Sequence, residues 1–227
     1  MRRMPVDTLA PVGARLTLDA AWSHHALRVL RLPRDAELLL FDGGGRQAPA
    51  RLVDVADGLA VVEVLGEPER AAPRWPLHAV LGLCKGPATD LAVRMVTEAG
   101  ATDVHLVPMA RSVARGGRAD RWERIAVSAA QQCGRADVPR VHVEEGLAAC
   151  LDRLPAGLDL RVALPGAEPL PPADGPAAVC VGPEGGLTDA EARLCLDRGA
   201  RPMGLGRWVL RADTAAAVAT AMTAPAS

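Results

Sequence analysis

Residues 179–215 place glycine and proline at the carboxyl ends of two successive apolar runs, and no other feature limits the fold as tightly. The first run opens into Gly182-Pro183-Glu184-Gly185-Gly186. The second loop is Gly204-Leu205-Gly206, and Arg211-Ala212-Asp213-Thr214-Ala215 comes after it. Loops of this composition leave backbone N–H and C=O groups uncovered, and such groups can hold the edge of a small ligand. Thr188, with Glu191 three residues on, reads as a capping box, so the first loop feeds straight into a helix ending near Gly199. Taken alone, Gly-Pro-Glu-Gly-Gly is equally a tight strand-to-helix turn in which glycine supplies positive φ. The second glycine loop and the Arg-x-Asp-Thr-Ala segment turn the set toward a ligand site.

Upstream of this stretch, from Leu77, short apolar runs alternate with helical spacing. Strands are predicted at 77–83, 103–107, 138–143, 158–164 and 177–181. Helices are predicted after Pro87, on the face Leu91, Met95 and Ala99; through Trp122, Ile125, Ala126, Ala129, Ala130 and Cys133; over 147–154; and over 212–222. Regular βα alternation argues an α/β fold with a mainly parallel sheet and helices on both faces. The first seventy residues or so read differently. Strands at 15–18, 37–41, 48–55 and 59–65 are joined by Asp42-Gly43 and Asp57-Gly58 hairpin signals, with one helix over 20–30 capped by Asp19. That pattern suggests a small barrel, with 67–76 as the linker to the α/β part of the chain. Gly43-Gly44-Gly45-Arg46-Gln47-Ala48 matches a dinucleotide fingerprint, but a true one must open a helix. Here alternation continues to a second Asp-Gly turn, so a hairpin is predicted.

The chain has 227 residues, a net charge of −1 and 49% hydrophobic content, with Lys85 its single lysine among many arginines. This balance does not demand a nucleic-acid partner, yet it leaves room for a local basic face. Arg111, Arg115, Arg118, Arg121 and Arg124 flank Gly116-Gly117. They are either a solvated face or a loop whose guanidinium forks engage a nucleic-acid backbone. Arg2, Arg3, Arg28 and Arg31 would extend such a surface. The five cysteines form no Cys-x-x-Cys pair and have no histidine at ligand spacing, so buried reduced thiols in a cytoplasm and no metal are expected. Neither a signal peptide nor an apolar run of spanning length is present, which points away from a membrane.

Further short segments complete a set: 25–31 (HALRVLR) and Phe41-Asp42-Gly43; Lys85, Glu98-Ala99-Gly100, Pro108, Arg111-Ser112, Trp122, Gln132, Arg135 and Pro139; and 181–186, Leu205-Gly206 and 209–215. Over nearly the whole chain this set resembles the RsmE family, bacterial enzymes that methylate N3 of one uridine in 16S, small-subunit ribosomal RNA. The resemblance implies a PUA-like RNA-binding β-barrel over 1–72 and a SPOUT α/β domain with a trefoil knot over 73–227. It also implies a homodimer, S-adenosyl-L-methionine held in the knot, and the 30S subunit as partner. On that likeness Leu164, Gly182, Pro183, Glu184, Gly185, Gly186, Leu205, Gly206, Val209, Leu210, Thr214 and Ala215 hold the cofactor. Arg2, Arg3, Arg28, Arg31, Lys85, Arg111, Arg115, Arg118 and Arg135 meet RNA. The family's Arg-x-Glu-Thr-Ala motif carries Asp213 here, Trp208 stands where arginine is common, and Ala99 replaces a leucine.

Methyl transfer from a sulfonium to nitrogen needs donor and acceptor aligned more than it needs a covalent nucleophile. Uridine N3 must also lose its proton. Arg211 is the candidate for stabilising the uridine anion, and Asp213 or Glu184 for orientation or proton acceptance. Two rival readings are a relative of the same fold acting on another base or a ribose hydroxyl, and a non-catalytic RNA-binding assembly factor.

Overall fold

The computed structural model describes residues 2–113 and 119–224, which form two compact units. The first unit comprises Met1–Ala72 together with Ala130–Val138. It contains strands β1 (Arg2–Pro5), β2 (Arg15–Thr17), β3 (Glu37–Phe41), β4 (Arg46–Ala56), β5 (Leu59–Val64) and β6 (Glu69–Arg70). They form one sheet in the order β1-β3-β4-β5-β2, with β6 on β4; β1 runs parallel to β3 and the other pairs are antiparallel. Two-residue periodicity places Ala48, Ala50 and Leu52 of β4 in one core with Ala60, Val62 and Val64 of β5 and Leu38 and Leu40 of β3. Asp57 and Gly58 have φ of 50° and 79°, the positive pair that a tight β4–β5 hairpin with right-handed twist requires.

Asp19 caps helix α1 (Ala20–His24) by accepting from the Trp22 N–H at 2.8 Å. The predicted helix does not continue as α: His25–Val29 form a π-helical turn. Ser23 is buried, donating to the Leu18 carbonyl and accepting from the Ala60 N–H, which fastens α1 to β5. After Gly43-Gly44-Gly45 the chain enters β4 antiparallel to β3, so the loop is a hairpin and no dinucleotide helix forms there. Its backbone holds another strand-like segment instead. The Gly43 carbonyl accepts from Val138 N–H at 2.8 Å and Gly45 N–H donates to Ala136 at 3.1 Å.

Three features of this unit differ from the expectation. β1 lies where no strand was predicted, β6 lies inside the predicted linker, and the strand path stays open. Among the described residues nothing pairs β1 with β2, so no closed barrel forms. β1 and β6 are short and built largely of charged residues, and they gain strand geometry from their neighbours rather than from their own alternation.

The second unit comprises Pro73–Ala129 and Pro139–Ser227. Its elements are β7 (Leu77–Gly82), α2 (Ala88–Glu98), β8 (Asp103–Val107), α3 (Ala119–Cys133, whose last turn is counted with the first unit), β9 (Arg140–Val143) and α4 (Leu147–Arg153). Then come β10 (Asp159–Ala163), β11 (Ala177–Val181), α5 (Asp189–Asp197), β12 (Arg201–Met203) and α6 (Ala212–Thr223). The strands form an all-parallel sheet in the order β12-β10-β11-β7-β8-β9. Every residue of β7, β8 and β11 is buried, as expected where helices cover both faces. Val80, Cys180, Val162 and Val107 pack with Leu147, Cys150 and Leu151 of α4 and Cys195 of α5. α6 lies against β7 and β11, and α2 packs on α6.

Two readings change in this unit. The face of α2 that packs inward is Ala92, Val93 and Val96, whereas Leu91 of the predicted face is 39% exposed. Small residues win because α6 approaches closely through Ala216 and Ala219, which are themselves buried. β12 was not predicted; its three residues include a proline and pair only with β10 at the sheet edge.

The connection from β10 to β11 contains no helix, and its course is held by charge and main chain. Arg161 is fully buried; it pairs with Asp159 at 2.6 Å and donates to the Pro171 carbonyl at 2.7 Å, while Arg201 grips the same Asp159. Leu164 N–H donates to Met203, and Gly204 N–H donates to Glu168 at 2.9 Å. The two segments therefore cross in backbone contact. A Cβ on Gly204 would overlap the Ala167 carbonyl oxygen.

Overpacking there costs about 1–3 kcal/mol or more. Gly204→Ala is therefore expected to lower the urea midpoint by at least that equivalent. Gly175→Ala, where an added Cβ meets nothing within 4 Å, should change stability by less than about 0.5 kcal/mol. A second outcome concerns the thiols. Cys84, Cys150, Cys180 and Cys195 are buried and Cys133 is exposed. Burial, with Glu184 and Glu144 respectively nearby, pushes Cys84 and Cys150 up to about 12. A thiol reagent at pH 8 should therefore label one cysteine rapidly in the native chain, and all five in denaturant.

Candidate active site

At the carboxyl ends of β10 and β11 a cavity of about 670 Å³ opens, the place where parallel α/β sheets characteristically bind ligands. Three stretches of main chain wall it: 163–166 from the end of β10, 181–187 from the end of β11, and 205–213 from the β12–α6 connection into the first turn of α6, with Ala88, Arg111 and Ala215 beside them. Glycine permits this closeness. A Cβ on Gly82 would lie 2.5 Å from Pro183 N, one on Gly182 would lie 2.8 Å from Leu187 N, and one on Gly185 would lie 2.9 Å from Arg111 Cβ. Gly186 N–H closes a turn onto the Pro183 carbonyl at 2.8 Å, with φ of 71° at Gly186.

Side chains lock the first glycine loop in place. Arg111 donates through Nη1 to the carbonyls of Gly185 (2.8 Å) and Leu187 (3.2 Å). Glu191 completes the capping box with Thr188 and reaches across to the Ala110 N–H at 2.7 Å. Burial works to raise the Glu191 carboxyl, but the N–H bonds from Thr188 and Ala110 outweigh it and hold the group below the usual carboxylate range. This contribution is therefore present above the unfolded-state value and lost as pH falls through the lower folded one. Glu184 Oε1 accepts from the Lys85 N–H at 2.8 Å, tying the loop to the turn after β7.

The second loop brings the charged groups to the cavity. Asp213 is 4% exposed in the first turn of α6, where the helix end favours an anion, and its Oδ1 accepts from Thr214 N–H at 2.7 Å. The Arg211 side chain is 83% exposed, with Nε 3.7 Å from Asp213 Oδ1. Glu184, Arg211 and Asp213 border the cavity and also a second hollow, lined besides by Lys85, Asp90, Leu91 and Arg94. Trp208 stands 73% exposed at the rim, with the Arg207 guanidinium 4.9 Å from its ring centroid.

Of the residues expected to hold a cofactor, Leu164, Gly182, Pro183, Glu184, Gly185, Gly186, Leu205, Gly206, Val209, Leu210 and Ala215 lie in the cavity wall. Thr214 does not, and its hydroxyl faces Asp213 at 3.3 Å. The expected RNA contacts divide. Arg2, Arg28 and Arg31 of the first unit and Lys85 of the second are exposed. Arg3 is half-buried over Phe41 and bonded to Gln47 at 2.8 Å, and burial lowers its pKa. Arg135 is paired with Asp137. Arg111 is the loop clamp just described. Arg115 and Arg118 lie outside the described residues.

Sequence reasoning missed Gly82, the Pro165-Gly166 wall and the clamping role of Arg111. The first two carried a signal, since glycine stood at the carboxyl ends of two other predicted strands. A guanidinium bonded to carbonyls 74 and 76 residues away carried none.

The family model for the RNA methyltransferase domain matches residues 71–224. Ribosomal RNA small subunit methyltransferase E of Synechocystis sp. is 32% identical over 222 residues, covering 92% of this chain and 73% of the relative. The protein of the same name from Mycobacterium bovis is 34% identical over 241 residues, covering 94% and 87%. The crystal structure of Ribosomal RNA small subunit methyltransferase E from Neisseria gonorrhoeae bound to S-adenosyl methionine matches with a TM-score of 0.88 at 27% identity, over 97% of this chain and 95% of that one. A mixed α/β chain carrying this glycine-walled cavity thus belongs to the RNA methyltransferase family, among the ribosomal RNA small subunit methyltransferase E proteins.

Proposed function

We propose that the chain is an S-adenosyl-L-methionine-dependent methyltransferase acting on N3 of a uridine in 16S ribosomal RNA. The observation that carries this reading is the cavity at the carboxyl ends of β10 and β11, with Glu184, Arg211 and Asp213 on the boundary it shares with the second hollow. The residues present fit the cofactor. A volume of about 670 Å³ suits a ligand of that size, and glycines without side chains form much of its wall. Apolar Leu164, Leu205, Val209 and Leu210 would flank an adenosyl group, beside the backbone of Gly182 through Gly186, Gly206 and Ala215; Thr214 would act from behind, through Asp213. When bound, the cofactor supplies an electrophilic methyl on a sulfonium.

The remaining chemistry belongs to this chain. The hollow lined by Lys85 and Arg94 admits the acceptor base. Arg211, with its guanidinium in solvent, stabilises the uridine anion as N3 gives up its proton. Asp213 restrains Arg211 from its buried post. Glu184, held by the Lys85 N–H, is the proton acceptor or its orienting partner. Aspartate in place of the family's glutamate keeps the charge with a shorter reach, which its contact with the Thr214 N–H accommodates.

The finer architecture accords with the same reading. Residues 73–227, apart from the 130–138 segment counted with the first unit, form a SPOUT domain whose knot is supported by the backbone crossing of 164–168 with 203–204. Residues 1–72 form a PUA-like RNA-binding domain, supported by its six-stranded sheet and the exposed Arg2, Arg28 and Arg31. Two chains pair as a homodimer, supported by exposed Leu91 and Val209 in the second unit. The 30S subunit as substrate places the enzyme in the cytoplasm.

Incubating the protein with 30S subunits and methyl-labelled cofactor is expected to yield 3-methyluridine in digested RNA, read by mass spectrometry. Arg211→Ala should lower kcat/KM by roughly 10²–10³-fold with cofactor affinity retained in calorimetry. Label on another base or a ribose hydroxyl would replace the N3 assignment. Absence of both cofactor binding and label would leave an RNA-binding assembly factor.

A further inference from the structure

Beneath α4 lies a polar cluster that methyl transfer does not use. Three of the chain's five histidines, His78 of β7, His105 of β8 and His142 of β9, stack in a row, with ring centroids 5.4 and 4.6 Å apart. His105 is buried, and its Nδ1 lies 2.8 Å from Glu144 Oε1. Cys150 enters the same spot from α4 and is fully buried. One donor atom from each of His105, Glu144 and Cys150 lies within 4.8 Å of the other two. None of the three lines the cavity.

We propose that His105, Glu144 and Cys150 form a three-residue site for one zinc ion, with water as the fourth ligand. Nitrogen, oxygen and sulfur donors together match zinc better than magnesium or calcium, which take oxygen alone. Bonds of roughly 2.0–2.3 Å are within reach after side-chain shifts of about an ångström. A neutral imidazole, a carboxylate and a thiolate together balance a dication, and the proton leaving the thiol goes to solvent. A hydrogen-bonded His–Glu pair alone would be unremarkable; a third donor converging on it from another element is not required by that pair.

The outer contacts suit this role. His105 Nε2 lies 3.1 Å from His78 Nδ1, so a proton held on Nε2 leaves Nδ1 free to coordinate. Arg153 pairs with Glu144 Oε2, which turns Oε1 toward the site. The remaining charges nearby are satisfied among themselves. Asp103 takes Arg140 at 2.9 Å and His142 at 3.1 Å and lies 4.0 Å from His78. Bound zinc would join β8 to the β9–α4 connection and to α4 itself. Sequence spacing conceals the site, since His105 and Glu144 stand 39 residues apart.

Metal-stripped full-length chain should take up one zinc per chain in competition with a chromophoric chelator. Cobalt in its place should give a thiolate charge-transfer band. Cys150→Ser and His105→Gln are each expected to weaken zinc binding more than tenfold, and His78→Gln tenfold to a hundredfold. Cys133→Ser, at the exposed cysteine, should leave it unchanged. Zinc should also raise the thermal midpoint of the parent chain but not of Cys150→Ser. A parent chain that takes up no stoichiometric zinc and shows no cobalt–thiolate band overturns the proposal, even if the variants fail to fold. Zinc affinity unchanged in Cys150→Ser overturns it as well.

Discussion

Main chain packed directly on main chain is the constraint that the second unit is built to satisfy. At Gly82 against Pro183, Gly182 against Leu187 and Gly204 against Ala167, the space available excludes even a methyl group. Such approaches are stable only if both strands of backbone are held from outside. The fully buried β7 and β11 hold one side of the first two crossings, and the paired β10 and β12 lead into the third. Arg161, Arg111 and Glu191 hold the other by bonding loop carbonyls and N–H groups. Because the loops cannot collapse further, they leave a cavity between them.

The same loops carry the charge that chemistry needs. Asp213 is placed by the start of α6 and the Thr214 N–H, and Glu184 by the Lys85 N–H, so backbone donors position both carboxylates. Arg211 stays exposed beside them. A cation that is oriented yet still open to solvent can meet a developing anion, whereas one closed into a tight ion pair cannot. Arg161 shows the contrast: fully buried and doubly engaged, it serves the fold.

Much of this was legible in residue order. Continuous apolar runs flanked by helical spacing announced the parallel sheet, and Thr188 with Glu191 announced the start of α5. Asp57-Gly58 announced its hairpin because only such a pair takes positive φ twice. The wall of the site was legible for the same reason, through glycine and proline at strand ends. What stayed hidden depends on partners distant in sequence. β1, β6 and β12 are strands only because β3, β4 and β10 supply their hydrogen bonds. The inward face of α2 is set by the alanines of α6, against the larger Leu91 and Met95 that periodicity favours. Arg3 and Arg111 resemble free cations in sequence, but Gln47 and Phe41, and the carbonyls of 185 and 187, engage them.

The central claim is that the loops at 182–186 and 205–210 enclose a methyl donor beside Arg211. A crystal structure of this chain grown with S-adenosyl-L-methionine tests it most directly. The account predicts the adenosyl group between those two loops, and the sulfonium methyl open toward the hollow bordered by Glu184, Arg211 and Asp213. Donor bound elsewhere on the chain, or these loops closed on each other with the donor present, would contradict it.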